Sequence, residues 1–186
     1  MFRYDGRNAL ILGAGRSGVA AAELLLERHS RATIVDEHWT PEYRADVGSR
    51  GIRCLTAEAT HLPDGNYDLL VASPAIPADH PWLTLAHKRG LAIISEMELG
   101  AHYWQGQAIA VTGSKGKSSV VKCLADTLNL AGHPAVTAGN YGTPLSQRVL
   151  ECPDMGRDTI AVVEVSSFQM EHTRTFAPHL AAILTI

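Results

Sequence analysis

The sequence predicts an α/β protein of two successive domains with mostly parallel sheets, and three observations carry that expectation. Short apolar runs alternate with helical stretches along most of the 186-residue chain. Two glycine-bearing loops, Gly13-Ala-Gly-Arg-Ser-Gly18 and Thr112-Gly-Ser-Lys-Gly-Lys-Ser118, each follow an apolar run and open a helix. Between them Gln105-Gly-Gln107 reads as a hinge, which sets the boundary near residue 104 and the domains at 1–104 and 105–186.

In the first domain, Asn8-Ala-Leu-Ile-Leu12 is a buried strand, the glycine loop follows at once, and residues 19–28 form a strong helix. Residues 32–35 are the next strand, closed by Asp36. This is the βαβ dinucleotide fingerprint in its context, a Rossmann-like arrangement. Glycines permit a tight turn and close approach to a pyrophosphate, and the acid meets a ribose or base edge. The same glycines also serve helix–strand packing with no ligand. Residues 67–72 read as a further strand ending in Ser73-Pro-Ala-Ile-Pro77, a rigid loop at a carboxyl end, where open α/β sheets bind ligands. A helix over 81–89 with Pro81 in its first turn, a strand over 91–95 and a helix over 96–103 complete the domain.

The second domain opens with a strand at 108–111 and a phosphate cradle. Its glycines turn backbone N–H groups toward an anion, the helix N-terminus adds partial positive charge, and Lys117 reaches the outer phosphates. The hydroxyl of Ser118 is placed for Mg²⁺. Val111 stands where the strict pattern has its first glycine, so this is a shortened P-loop variant. An ordinary strand-to-helix turn with an exposed lysine remains the alternative. The helix over 117–131 has an apolar face at Val120, Val121, Leu124 and Leu128, with Gly132 as its stop. A short strand at 135–137, the turn Gly139-Asn-Tyr-Gly142, a helix over 143–150 and an exposed loop at 152–157 follow. Asn140 serves equally as a left-handed turn residue. Thr159-Ile-Ala-Val-Val-Glu-Val165 carries one acid in a β-rich run. A buried carboxylate is costly unless paired or bound to a metal, so Glu164 is a Mg²⁺-ligand candidate, against a strand-end glutamate facing solvent. A polar turn into a short helix comes next, and residues 181–186 read as one more buried strand. With nothing capping that strand, the chain reads as part of a longer protein.

The totals exclude several classes. A net charge of −3 without a basic run argues against nucleic acid. No apolar stretch approaches the ~18 residues of a membrane span, and the first residues lack a signal-peptide core, so a soluble cytoplasmic protein is expected. The three cysteines are far apart and fit reduced thiols, and the nine histidines show no metal-binding spacing.

Thr112-Gly-Ser-Lys-Gly-Lys-Ser118, Gly139-Asn-Tyr-Gly142 and Glu164-Val-Ser-Ser-Phe-Gln169, with the Ser73-Pro-Ala-Ile loop, resemble the Mur ligases of peptidoglycan synthesis. Within that family it looks most like the branch that joins glutamate to UDP-N-acetylmuramoyl-L-alanine. The resemblance covers essentially the whole chain, as the UDP-binding domain plus the first part of the central ATPase domain. It implies an ATP-dependent, ADP-forming amide ligase, monomeric, with ATP and Mg²⁺ as cofactors and an acyl phosphate between substrate and product. It assigns Gly113, Ser114, Lys115, Gly116, Lys117, Ser118 and Ser119 to ATP, Lys117 and Glu164 to catalysis, and Ser118 and Glu164 to the metal. Ala14, Gly15, Arg16, Ser17, Asp36, Ser73, Pro74 and Ala75 fall to the uridine diphosphate, and Asn140, Ser166 and Gln169 to the muramoyl-alanine end.

Three positions depart from the family pattern: Lys115 stands for the usual Asn, Ser119 for Thr and Ala75 for Gly. D-glutamate is the expected amino acid, and the L-glutamate-adding relatives, which also carry lysine in the loop, are the alternative. The family's downstream histidine, carbamylated lysine and C-terminal domain lie outside this chain, so it is expected to bind ligands without turnover. Two other readings stay open. An NAD(P)-dependent oxidoreductase would use Gly13 to Gly18 and Asp36 but leaves the second loop unexplained. A non-catalytic nucleotide-binding module needs a chain that ends here.

Overall fold

In a computed structural model, residues 4–58, 61–140 and 142–185 are described. Tyr141 and Ile186, which belong to two of the motifs above, lie outside them. The chain divides into two compact units, Met1–Glu96 and Met97–Ile186.

The first unit is built on β1 (Asn8–Leu12), β2 (Arg31–Asp36), β3 (Arg53–Thr56), β4 (Leu69–Ala72) and β5 (Ala92–Ser95). All are parallel, in the order β3-β2-β1-β4-β5. Parallel strands are covered on both faces, so they take continuous apolar runs. Leu10, Ile11, Leu12, Leu69, Leu70 and Val71 accordingly have no exposed surface. Truncating one of them, Leu70→Ala for example, would cost about 2–5 kcal/mol. The covering helices are α1 (Arg16–Glu27), α2 (Pro41–Ser49) and α3 (Pro81–Lys88). Leu24 and Leu25 of α1 and Trp82 of α3 are buried, with the Trp82 indole N–H donating to the Glu58 and His61 carbonyls. The chain leaves β1 toward one edge through β2 and β3, then returns to β4 on the other side. That reversal opens a crevice at the carboxyl ends of β1 and β4, the place where such sheets bind ligands.

The division falls after Glu96, the first residue of α4 (Glu96–Tyr103), and the rest of that helix goes with the second unit. The reason is packing. A Cβ on Gly100 would lie 2.7 Å from the Ser146 amide nitrogen. Buried Glu98 accepts the backbone N–H groups of Arg174, Thr175 and Phe176.

The second sheet has β6 (Ala108–Thr112), β7 (Ala135–Gly139), β8 (Ile160–Glu164) and β9 (Leu180–Ile183), parallel in the order β7-β8-β6-β9. Helices α5 (Lys117–Leu130), α6 (Leu145–Glu151) and α7 (Ser167–Glu171) accompany it. Val111, Val121, Ala125 and Val162 form its core. The last strand differs from expectation. Among the described residues β9 pairs with β6 alone, and Leu180 and Ile183 are 55% and 66% exposed. An apolar run marks a strand without saying whether both of its faces are covered. The loop at 152–157 is also less open than expected, because Gly156 is buried against the Trp104 ring.

Candidate functional site

The structure places a glycine loop after the inner strand of each sheet. In the first unit, the backbone turns at Gly13 with φ +91. Gly18 then brings α1 so close that a Cβ there would lie 1.9 Å from the Gly13 carbonyl oxygen. No other residue fits. Gly15 is the N-cap of α1, with no side-chain cap and no acid in the first turn, which leaves the amides at this end available to an anion. Ala14 is buried, Ser17 is half-buried, and Arg16 is exposed at the first helical position. Ser73, 5% exposed, lies across the crevice with its hydroxyl 3.4 Å from the Gly13 carbonyl, beside half-buried Pro74 and exposed Ala75. Contacts across the crevice join Gly13 and Gly18 to Ser73.

Asp36, at the end of β2, is engaged by backbone donors. Its Oδ2 accepts the Ala14 N–H at 2.6 Å and its Oδ1 the His38 N–H at 2.8 Å. Both oxygens thus bind the protein's own backbone, and the carboxylate shapes the loop. Each keeps a further lone pair for a ligand hydroxyl.

In the second unit, Gly116 caps α5 in the left-handed region at φ +83, a conformation in which a side chain is strained. Lys117 folds back, its Nζ donating to the Gly113 carbonyl at 2.6 Å. Ser114 is anchored by Thr185: its N–H donates to the Thr185 carbonyl at 2.9 Å, and the two hydroxyls are 2.9 Å apart. Thr112 donates its hydroxyl to the Val165 carbonyl. A cleft of about 620 Å³ opens over this loop, with Gly113, Ser114, Lys117, Asn140 and Ser166 in its wall and the exposed Phe168 and Met170 rings and chains at its side. Lys115, Gly116 and Ser119 are exposed, and half-buried Ser118 faces a neighbouring groove shared with Lys122 and Thr137.

Glu164 is the electrostatic feature of this unit. Strand register sets it beside Val111, at the base of the loop. It is 3% exposed; Oε1 has one long contact, 3.5 Å from the Asn140 amide nitrogen, and Oε2 has no hydrogen-bond partner. Such a carboxylate is unfavourable unless a cation meets it. The oxygens of Glu164 are hard donors of the kind Mg²⁺ takes, while Ser118, the other expected ligand, lies on the neighbouring groove. Among the described residues no three His, Cys, Asp or Glu side chains cluster to hold a metal by themselves.

Gln169 is 1% exposed and belongs to a capping box: its Oε1 accepts the Ser166 N–H at 3.0 Å while Ser166 caps α7. Its Nε2 is buried without a partner. Three contributors escaped the sequence reading. Tyr43 lies in α2, which Thr40-Pro41 announces as an N-cap followed by proline. Glu98 is one of two acids in α4 and belongs to no motif, and nothing local marked Thr185.

Comparison with known proteins agrees with both units. The model of the Mur ligase MurD-like N-terminal domain matches residues 7–95, and that of the Mur ligase middle domain matches residues 111–186. The chain belongs to the Mur ligase family. It is 35% identical to the UDP-N-acetylmuramoylalanine–D-glutamate ligase of Koribacter versatilis, over 97% of this chain and 40% of that protein. The ligase of the same name from Frankia casuarinae is 38% identical over 98% of this chain and 39% of its own length. That from Leuconostoc mesenteroides is 31% identical over 98% and 41%. The chain therefore spans about two fifths of the length of these relatives. Among solved structures it resembles UDP-N-acetylmuramate:L-alanyl-gamma-D-glutamyl-meso-diaminopimelate ligase from Neisseria meningitides, with TM-score 0.56 and 18% identity over 96% of this chain and 60% of that one. UDP-N-acetylmuramate-alanine ligase from Thermotoga maritima gives TM-score 0.54 and 17% identity over 95% and 41%. At these identities the likeness speaks for the fold.

Proposed function

We propose that this chain supplies the UDP-binding domain and the ATP loop of a cytoplasmic ligase adding D-glutamate to UDP-N-acetylmuramoyl-L-alanine. The observation that carries the reading is Glu164, a buried carboxylate with an unpartnered oxygen, in register with the strand that feeds a phosphate loop. Relatives that bear this activity in their names support the choice of substrates.

In the proposed reaction, the alanine carboxylate attacks the γ-phosphorus of ATP and ADP leaves. The glutamate amine then attacks the acyl phosphate, forming the amide as phosphate departs. Lys117 would exchange its Gly113 contact for the β- and γ-phosphates and neutralise charge as it develops. The amides of the loop would hold the same oxygens. Lys115, exposed on the loop, adds a second cation within reach. Glu164 and Ser118 would hold Mg²⁺, which supplies charge neutralisation to the phosphate oxygens when bound. Asn140, in the wall of the cleft, would face the muramoyl-alanine carboxylate with Ser166, while Gln169 fixes Ser166. In the first unit, the amides that follow Gly13 would take the diphosphate, with Arg16, Ser17 and Ser73 beside it, and Asp36 holds that loop in shape.

Calorimetric titration of the chain tests this. Saturable binding of UDP-N-acetylmuramoyl-L-alanine, with no response to NAD⁺, is the expected result. Binding of NAD⁺ alone would overturn the reading in favour of an oxidoreductase.

A further inference from the structure

The first loop is gripped by a side chain from outside the fingerprint. Tyr43 lies in the first turn of α2, where the Thr40 hydroxyl accepts its N–H at 3.2 Å and the Trp39 ring packs at 5.9 Å. From there its hydroxyl donates to the Ala14 carbonyl at 2.7 Å. The Ala14 N–H is meanwhile held by Asp36 at 2.6 Å, so both polar backbone groups of Ala14 are tied down. A trans peptide is planar, with its C=O and N–H pointing in opposite directions. Fixing the Ala14 carbonyl therefore also fixes the N–H of Gly15, which belongs to the same plane and opens α1.

We propose that Tyr43 is a positioning residue for the diphosphate: its hydroxyl sets the Ala14–Gly15 peptide so that the Gly15 N–H is aimed at the anion before the ligand arrives. The inference rests on the reading of this loop as the UDP site and deepens it. Burial pushes the Tyr43 phenol above its ordinary value, opposed by Arg50 and reinforced by Asp46 and Asp36, so it stays a donor through the neutral range. With 40% of the residue exposed, the ring has little core to support, and the hydroxyl is where its effect is concentrated. Preorganisation of this kind raises affinity without touching the ligand.

The experiment is a comparison of wild type with Tyr43→Phe and Tyr43→Leu in the whole chain. UDP and uridine are titrated by calorimetry, and backbone amide resonances are followed in the absence of ligand. Loss of the hydroxyl should weaken UDP about fivefold to tenfold, leave uridine within about twofold, and move the Gly15 amide resonance before any ligand is added. Leu and Phe should act alike. Unchanged UDP affinity in Tyr43→Phe, or an equal loss for UDP and uridine, would overturn the proposal while leaving the UDP site standing. A larger loss with Leu while Phe matches wild type would assign the effect to ring packing and also overturn it. A wild-type chain that fails to bind UDP would remove the site reading and this inference with it.

Discussion

The two glycine loops follow the same grammar and are held in opposite ways. Each leaves an inner strand of a parallel sheet and enters a helix at a glycine N-cap. The first is fixed by side chains of its own unit acting on its backbone: Asp36 and Tyr43 on Ala14, and Ser73 near Gly13. The cation within it, Arg16, is exposed. The second is fixed by its own lysine and by backbone, through Lys117 on Gly113 and Thr185 on Ser114. It carries two lysines and lies beside an uncompensated buried carboxylate. A loop whose backbone is already pinned, with its outward amides left open, can hold a ligand without rearranging. One whose cation is parked on a carbonyl must move when a phosphate comes. Under the proposed function, the first would be a holding site and the second a reacting one.

That contrast can be broken by single substitutions, each of which should damage only its own loop's ligand. The largest effect is expected from Lys117→Ala, which removes the mobile cation. Mg·ATP affinity should fall by about 10²-fold or more, with UDP binding unchanged, as measured by parallel titrations. Next is Glu164→Gln, expected to weaken Mg²⁺-dependent nucleotide binding by about 10–100-fold. In metal-free buffer the same variant should melt no lower than wild type, because it removes a buried charge with an unpartnered oxygen. A lower melting point there would contradict the account of that oxygen. Asp36→Asn comes third. It replaces an acceptor by an N–H₂ facing at least one of two amide donors, so UDP affinity should drop about tenfold while Mg·ATP affinity holds. Ser114→Ala should be smallest. The Thr185 carbonyl still takes the Ser114 N–H, so only a hydroxyl contact is lost, and Mg·ATP affinity should stay within about threefold.

The sequence made the fold legible where apolar runs were short and bounded by glycine, as at Asn8-Ala-Leu-Ile-Leu12 and Ala108-Ile-Ala-Val111. It was silent over residues 37–56, where α2 buries one residue, Val47, and β3 is only partly buried. A polar helix at a sheet edge has no stripe to read. Tyr43 was lost with it. Asp36 was found by its spacing, but spacing names a residue without naming its partner, and the Ala14 and His38 amides became visible only in three dimensions. Glu164 shows the opposite case. A lone acid in a β-branched run is a chemical anomaly that the sequence displays directly, and the buried oxygen is its structural counterpart. Thr185 could not be anticipated, since its contact with Ser114 links positions that no local pattern relates.

That last contact also orders events in time. β6 takes its neighbours from β8 and β9, and Ser114 is anchored by a residue beyond both. Contacts so distant along the chain form late, because loop closure must precede them. On the ribosome, where N-terminal units fold first, the sheet of Met1–Glu96 can close while its successor is still being made. The second glycine loop, by contrast, stays without its clamp until Thr185 has emerged. A nascent chain would thus acquire its holding loop well before the one suited to reaction.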